Sequence, residues 1–235
     1  MKTLVVIPVY NEREKVKFVF DKFKSLNLNV DVMIVDDGSD DGLEDLVNVY
    51  DFLKYIRHRE RQGIGSAIRD GINYALENNY DCVVVMAGNG KDDPVEIPGL
   101  LEKIKEGYDY VQGSRFLKGG KFENLPLFRY FAIRLFSIIW SIVLRHNITD
   151  VTNGFRAYRT YIFKQGYFDI NQRWLDKYEL EYYIHYYAYK YFKCVEVPVS
   201  KIYRFKKKGY SKIRPFIDWW SIIKPLLYLG LKIKK

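Results

Sequence analysis

The chain has 235 residues, which suits one medium domain or one domain with a C-terminal extension. Hydrophobic residues make up 48%, which excludes global disorder. Lysine and arginine exceed aspartate and glutamate by nine, which points to an anionic partner: nucleic acid, a phosphorylated small molecule or a lipid surface.

The first half alternates two patterns. Residues 3–9 form an apolar, β-branched run, and residues 12–26 follow with Val16, Val19, Phe20 and Phe23 at helical spacing. A second strand is expected at 30–35, a turn at 36–39, a short helix at 43–49 and a third strand at 52–56. Residues 63–77 read as a helix, 82–86 as a fourth strand, 95–105 as a helix and 108–112 as a fifth strand. Strands alternating with helices imply parallel βαβ units and an open α/β sheet with helices on both faces. In such a sheet ligands bind outside the C-terminal strand ends. That rule selects the loops after Val9, Val35, Ile56, Met86 and Gln112.

The second half reads differently. A long apolar helix is expected at 128–144, a turn-rich connector at 150–158, a tyrosine-dense helix at 176–192 and a sixth strand at 194–199. A basic loop at 203–212 precedes a last helix. Cys82 and Cys194 lack metal-ligand spacing and lie beside strand-like segments, so both read as small buried apolar residues. Met1 leads directly into a strand, which reads as a cytoplasmic chain without a signal peptide.

The loops carry the chemistry. IPVYNE at 7–12 and VDDGS at 35–39 suit a nucleotide: a carboxylate can accept from a base N–H, and a tyrosine ring can stack on the base. The plainer reading is a helix cap at Asn11 and a tight turn at 36–39. RHRERQGIG at 57–65 sets positive charge and two glycines at a helix start, where a pyrophosphate fits as well as an ordinary exposed basic loop does.

The order of these motifs resembles the family 2 glycosyltransferases, and within them the polyprenyl-phosphate (dolichol-phosphate) mannosyl- and glucosyltransferases. IPVYNE is followed by VDDGSDDG at 35–42, GIGSAIRDGI at 63–72, DDPVEIPGLL at 92–101, GSRFLKGG at 113–120, DVTNGFRAY at 150–158, EVPVS at 196–200 and GYSK at 209–212. The resemblance covers residues 3 to about 214. It implies a Rossmann-like GT-A fold over 1–212, with a nucleotide-binding half at about 1–113 and an acceptor-binding half at about 114–212. Residues 213–235 are left as a basic, aromatic helix. The implied donor is a nucleotide sugar of the GDP-mannose or UDP-glucose type, and the implied acceptor a polyprenyl phosphate. Pro8, Tyr10, Glu12, Val35, Asp37 and Gly63 match nucleotide positions, and Ala87, Gly88, Asn89 and Lys91 the stretch reaching the diphosphate and sugar. Arg115, Arg129, Arg204 and Lys212 match phosphate-holding positions, while Ile133 stands where relatives often have serine. Glu181 is expected to orient a sugar hydroxyl or a neighbouring arginine, or else to be a surface charge.

Relatives usually carry Asp-x-Asp and a following Gln around one Mg²⁺ or Mn²⁺; here those positions are Ala87, Asn89 and Lys91. Alanine cannot ligate, and a lysine repels a divalent cation. Three arrangements are open: Lys91 pairs with the diphosphate in the metal's stead, Lys91 is a solvated loop charge, or a metal shifts to Asp92 or Asp93. An ammonium about 4 Å from a phosphate oxygen, at an effective dielectric of about 20, contributes on the order of 4 kcal/mol before desolvation.

No segment reads as a clean membrane span, because Arg129 and Arg134 interrupt 125–144 and Asp218, Lys224 and Pro225 break the tail. The aromatics of both segments, mixed with lysine, suit helices lying on an anionic membrane face, or packed against the sheet. The expected activity is inverting hexosyl transfer to a polyprenyl phosphate by a peripheral protein at the inner face of the cell membrane. A sugar-hydroxyl acceptor would need a base, with Asp150, Asp176 and Glu181 as candidates. A non-catalytic binding protein is the rival from another class. A nucleic-acid partner is not expected, because the aromatics lie on apolar helices and not among the basic loops.

Overall fold

β1 (Thr3–Val9) sends alternate side chains to opposite faces, as a strand must: Leu4 and Val6 enter one buried cluster, and Val5, Ile7 and Val9 the other. In this computed structural model the described residues are 1–204 and 217–233. α1 (Arg13–Leu26) returns the chain with Val16, Val19, Phe20 and Phe23 buried, the face that the spacing predicts. β2 (Asp31–Asp36), α2 (Leu43–Val47), β3 (Leu53–Arg57), α3 (Ile64–Glu77) and β4 (Cys82–Val85) complete the parallel units. α4 (Ile97–Lys105), β5 (Tyr110–Ser114), the short β6 (Lys121–Glu123) and α5 (Leu127–Leu144) follow. The chain continues through β7 (Arg156–Arg159), α6 (Glu179–Tyr191), β8 (Cys194–Pro198), β9 (Ser200–Ile202) and α7 (Ile217–Gly230).

The main sheet has the order β3-β2-β1-β4-β7-β5-β8, and β6 pairs with β9 in a small second sheet. Its strands run parallel except β7, which is antiparallel to both β4 and β5. α1, α2 and α4 contribute to the core on one face, and α3, α5, α6 and α7 to the core on the other. This is the mostly parallel α/β arrangement with helices on both faces that the sequence pattern predicts. Because β1 neighbours both β2 and β4, the strand order reverses at β1, the point beyond whose strand ends such sheets hold their ligands.

Three expectations need correction. The segment read as a connector contains β7, inserted at the centre of the sheet. Its sequence, Arg-Ala-Tyr-Arg, carries no alternating apolar signal, and the cost of burying Arg156 is offset by carbonyls of Asn153, Val151 and Glu181 that accept from its guanidinium at 2.6–2.9 Å. Second, α5 is 18 residues long with mean hydropathy 1.7, and only 17% of it is buried, so by length and composition it could cross a membrane. Its two arginines do not end it. Third, Cys194 is half-buried, at the start of β8, whereas Cys82 is buried; both are free thiols.

Candidate active site

The loops after β2 and β3 are built by carboxylates that hold backbone. Asp36 accepts from the Ser39 N–H and the Tyr55 hydroxyl, each at 2.8 Å. Asp37 accepts from the N–H groups of Gln62 (2.7 Å) and Gly63 (2.9 Å) and meets His58 Nδ1 at 2.9 Å. His58 Nε2 reaches Asp70 at 2.8 Å, and hydrogen bonds to Asp37 and then Asp70 raise the imidazole to about 9. Gly63 sits at φ +119°, and a side chain there would lie 2.3 Å from the Asp176 carbonyl oxygen, so this close approach requires glycine. Asp37 is thus buried in the scaffold of the 57–63 loop, and Val35 is fully buried, leaving only backbone to face a ligand.

Tyr10 is half-buried, with the Arg61 guanidinium 4.3 Å from its ring centroid. Pro8 and Glu12 are also half-buried, and Glu12 pairs with Lys15 at 2.6 Å. Beside them runs the loop after β4. Ala87 donates its N–H to Asp92 Oδ2 (2.9 Å), and Lys91 donates its N–H to Asn89 Oδ1 (3.2 Å). Gly88 packs against Val9, Ile7 and Val16. The Lys91 ammonium lies 4.8 Å from the Tyr203 ring centroid. Burial first, then the positive fields of Lys201 and Arg129, push Lys91 down to about 8. Arg129 stands in the first turn of α5, and its charge, with that of Lys201 on β9, acts on Lys91 in the loop after β4.

Next to it lies a buried network centred on residues 150–156. Arg115 forms a two-pronged ion pair with Asp150 (Nε–Oδ2 2.6 Å, Nη2–Oδ1 2.7 Å) and also donates to Thr152 Oγ1 at 2.7 Å. Its side chain is 3% exposed. Arg115 is therefore committed to Asp150, where the sequence pattern predicts a phosphate contact. Arg204 likewise donates to the Gly90 carbonyl at 2.8 Å and lies 3.6 Å from Asp93, fastening the loop after β4 from outside. Glu181 lies 3.9 Å from Arg156 Nε, the neighbouring arginine expected of it. A side chain at Gly154 would sit 2.8 Å from Glu181 Oε1, so glycine keeps this approach open. Ile133 is buried. Lys212, and with it the GYSK motif, lies outside the described residues. Of the candidate bases, Asp150 pairs with Arg115, and Asp176 with Arg69 at 2.7 Å.

Sequence reasoning passed over Lys201. Its ammonium is 2.6 Å from Asp92 Oδ1 and 3.1 Å from Asn153 Oδ1, linking the loop after β4 to the 150–156 segment. A lysine in a short strand reads as a surface charge; its place directly after EVPVS was the available signal. Gln112 and Glu196 were missed as organisers too. Gln112 donates to the Asn153 carbonyl at 2.6 Å, and Glu196 accepts from the N–H groups of Thr149 and Asp150. A cavity of about 290 Å³ beside α5 is lined by none of the candidate residues.

α5 presents a stripe of exposed apolar side chains at helical spacing, Phe128, Phe131, Leu135, Ile138 and Ile142. The Phe128 ring stacks on Trp219 of α7, whose Trp220, Ile223 and Leu227 are also exposed.

A mostly parallel sheet with helices on both faces and a strand-order reversal at β1 is the arrangement of the GT-A glycosyltransferases. The sequence profile of Glycosyl transferase family 2 matches residues 4–167, and the chain belongs to that family. The undecaprenyl-phosphate mannosyltransferase of Micrococcus luteus is 36% identical over 163 residues, 68% of this chain and 67% of that protein. The polyprenol monophosphomannose synthase of Mycolicibacterium smegmatis is 34% identical over 67% of this chain and 62% of its own length, so this chain spans about two thirds of these relatives. Glucosyl-3-phosphoglycerate synthase of Mycobacterium tuberculosis, crystallised with Mn²⁺, UDP and phosphoglyceric acid, superposes over 100% of this chain and 80% of its own with a TM-score of 0.70 at 15% identity. That likeness establishes the fold.

Proposed function

We propose that this glycosyltransferase moves a hexose, with inversion, from a nucleotide sugar of the GDP-mannose or UDP-glucose type to a polyprenyl phosphate at the cytoplasmic membrane face. The convergence of Lys91, Lys201 and Arg129 between the donor loops and the start of an apolar-faced helix carries the reading. One side of that cluster meets the loops that suit a nucleotide. The other leads onto the α5 stripe, where a lipid phosphate would arrive. The names of the two curated relatives support the same acceptor class.

In this reading Pro8, Tyr10, Glu12 and the backbone of Val35 receive the nucleoside, with Asp37 and Gly63 holding the loop that covers it. Residues 87–91 face the diphosphate and sugar, Arg129 meets the acceptor phosphate, and Glu181 orients a sugar hydroxyl beside Gly154. Arg115 and Arg204 position the two loops, and Lys212 enters on resemblance alone. Residues 1–113 then form the donor half, 114–212 the acceptor half and 213–235 a membrane-surface segment. The acceptor phosphate is anionic near neutral pH, so it attacks the anomeric carbon without a protein base, and the protein's task is alignment and charge stabilisation. A hydroxyl acceptor is disfavoured because Asp150 and Asp176 are already held in ion pairs.

The test supplies labelled GDP-mannose or UDP-glucose and a polyprenyl phosphate in anionic liposomes. Lipid-extractable label with an inverted anomeric centre is expected. Donor binding without label in lipid, across both sugars, overturns the reading in favour of a non-catalytic binding protein.

A further inference from the structure

The structure described above was crystallised with Mn²⁺ and UDP, and the residues around β4 of this chain offer a divalent cation few ligands. Ala87 has no donor atom, and the Asn89 side-chain oxygen accepts from the Lys91 N–H. Asp92 is fully buried with both oxygens engaged, one by Lys201 and one by the Ala87 N–H. Asp93 is held by Lys22, by the Val95 N–H at 3.2 Å and by Arg204. The shift of a metal to Asp92 or Asp93 would require breaking these pairs, and no group of three acidic, His or Cys side chains suited to a metal occurs among the described residues. A hard cation wants six to eight oxygen ligands, or octahedral oxygen geometry, and this donor set does not fit it.

What gathers there instead is positive. Lys91 feels Lys201 from β9 and Arg129 from α5 as like charges, with Asp92 and Glu12 as the opposing ones and the Tyr203 ring against it. We propose that Lys91, supported by Arg129, takes the place of a divalent cation, so that this enzyme binds its donor's diphosphate and stabilises its departure without a metal. The proposal rests on the donor reading above. In the step, the bond from the anomeric carbon to the β-phosphate oxygen breaks with its electron pair on that oxygen. An acceptor phosphate oxygen supplies the pair for the new bond. The nucleoside diphosphate leaves with one more negative charge, which the ammonium meets, and no proton transfer is needed. Lys201 acts by position: its pair with Asp92 both fixes the loop and occupies the carboxylate a metal would need. Burial first, and the like charges of Lys201 and Arg129 second, hold Lys91 at about 8, and an incoming diphosphate would offset both.

The test is calorimetric titration of the full chain with GDP, UDP and inorganic pyrophosphate, each in EDTA and in Mn²⁺, with electron paramagnetic resonance of Mn²⁺ alone. Affinities that agree within about twofold between the two buffers, and an Mn²⁺ spectrum of the free ion, are expected. Lys91→Gln is expected to weaken binding about tenfold or more, which is about 1.4 kcal/mol, while its melting temperature holds. Tightening by Mn²⁺ of about tenfold or more overturns the proposal, as does a Lys91→Gln variant that binds like the wild type. Should Lys91→Gln fail to fold, the wild-type buffer comparison still decides. Pyrophosphate held through Lys91 with neither nucleotide bound leaves the cation inference standing and removes the nucleotide-sugar reading. Binding of none of the three overturns both.

Discussion

The loops after β1–β3 and the ground around residues 87–91 and 150–156 use charge in opposite ways. On the donor side the named cations face carboxylates: His58 lies between Asp37 and Asp70, Arg57 reaches Glu44 at 2.6 Å, and Lys15 reaches Glu12. Charge there is balanced internally and shapes loops. Around residues 87–91 and 150–156 Asp150 and Asp92 are matched by Arg115 and Lys201, and Lys91 lies in the fields of Lys201 and Arg129 as well as those of Asp92 and Glu12. A region that carries its own neutral pairs can be bound by hydrogen bonds and stacking; a region where several cations act on one another is stabilised by an anion. In the proposed reading that difference assigns the phosphates to the ground around residues 87–91 and 129.

The largest effect should come from breaking a pair that only builds. Asp150→Ala strands the buried Arg115 guanidinium and is expected to cost about 3–5 kcal/mol in a denaturant titration. A loss below about 1 kcal/mol would show that Arg115 is held by solvent or ligand, and would return it to the phosphate-binding set.

The second effect separates surface from core. Phe131→Glu with Leu135→Glu places two charges on the exposed face of α5, so stability should change by less than about 1 kcal/mol. Sedimentation with anionic liposomes should fall about 100-fold or more, since each apolar side chain contributes about 1.5–3 kcal/mol on burial. Unchanged sedimentation would remove α5 from the membrane reading.

A third measurement uses the Lys91 ammonium directly. An anion binds the protonated lysine, so diphosphate affinity is fully present below about 8 and is lost as the pH rises through that value. The dissociation constant should rise up to about tenfold per pH unit in the alkaline range, and Lys91→Gln should flatten the profile. A profile that is already flat in the wild type would place Lys91 in the balanced class with the donor-side cations.

How much of this was legible follows from the kind of interaction involved. The parallel units were read because Val16, Val19, Phe20 and Phe23, or the β-branched run of β1, state their periodicity locally. The strand-end rule and the motif order then put Tyr10, Glu12 and Lys91 near one another. β7 was hidden because a buried arginine leaves no apolar signal: Arg156 gains its place from the carbonyls of Asn153 and Val151, in a loop that looks like a connector, and from that of Glu181 on α6. The commitments of Arg115, Arg204 and Asp92 were hidden for the same reason: whether a charge faces a ligand or a buried partner depends on which other loop arrives beside it. Lys201, more than a hundred residues from Asp92, is the clearest instance.

The smallest expected effect tests the balanced side. His58 is raised to about 9 by Asp37 and Asp70, above its ordinary value of 6.5. A group raised on folding adds stability that is fully present below about 6.5 and disappears as the pH climbs through about 9. Because Asp70 is more than a third exposed, solvent screening reduces the contribution to about 1–2 kcal/mol. The difference in unfolding free energy between wild type and His58→Gln should therefore be largest near pH 6 and shrink by that amount near pH 10. If the difference stays constant across that range, the imidazole is held neutral between the two carboxylates. The donor loops would then carry net negative charge, and the contrast with the Lys91 cluster would be steeper.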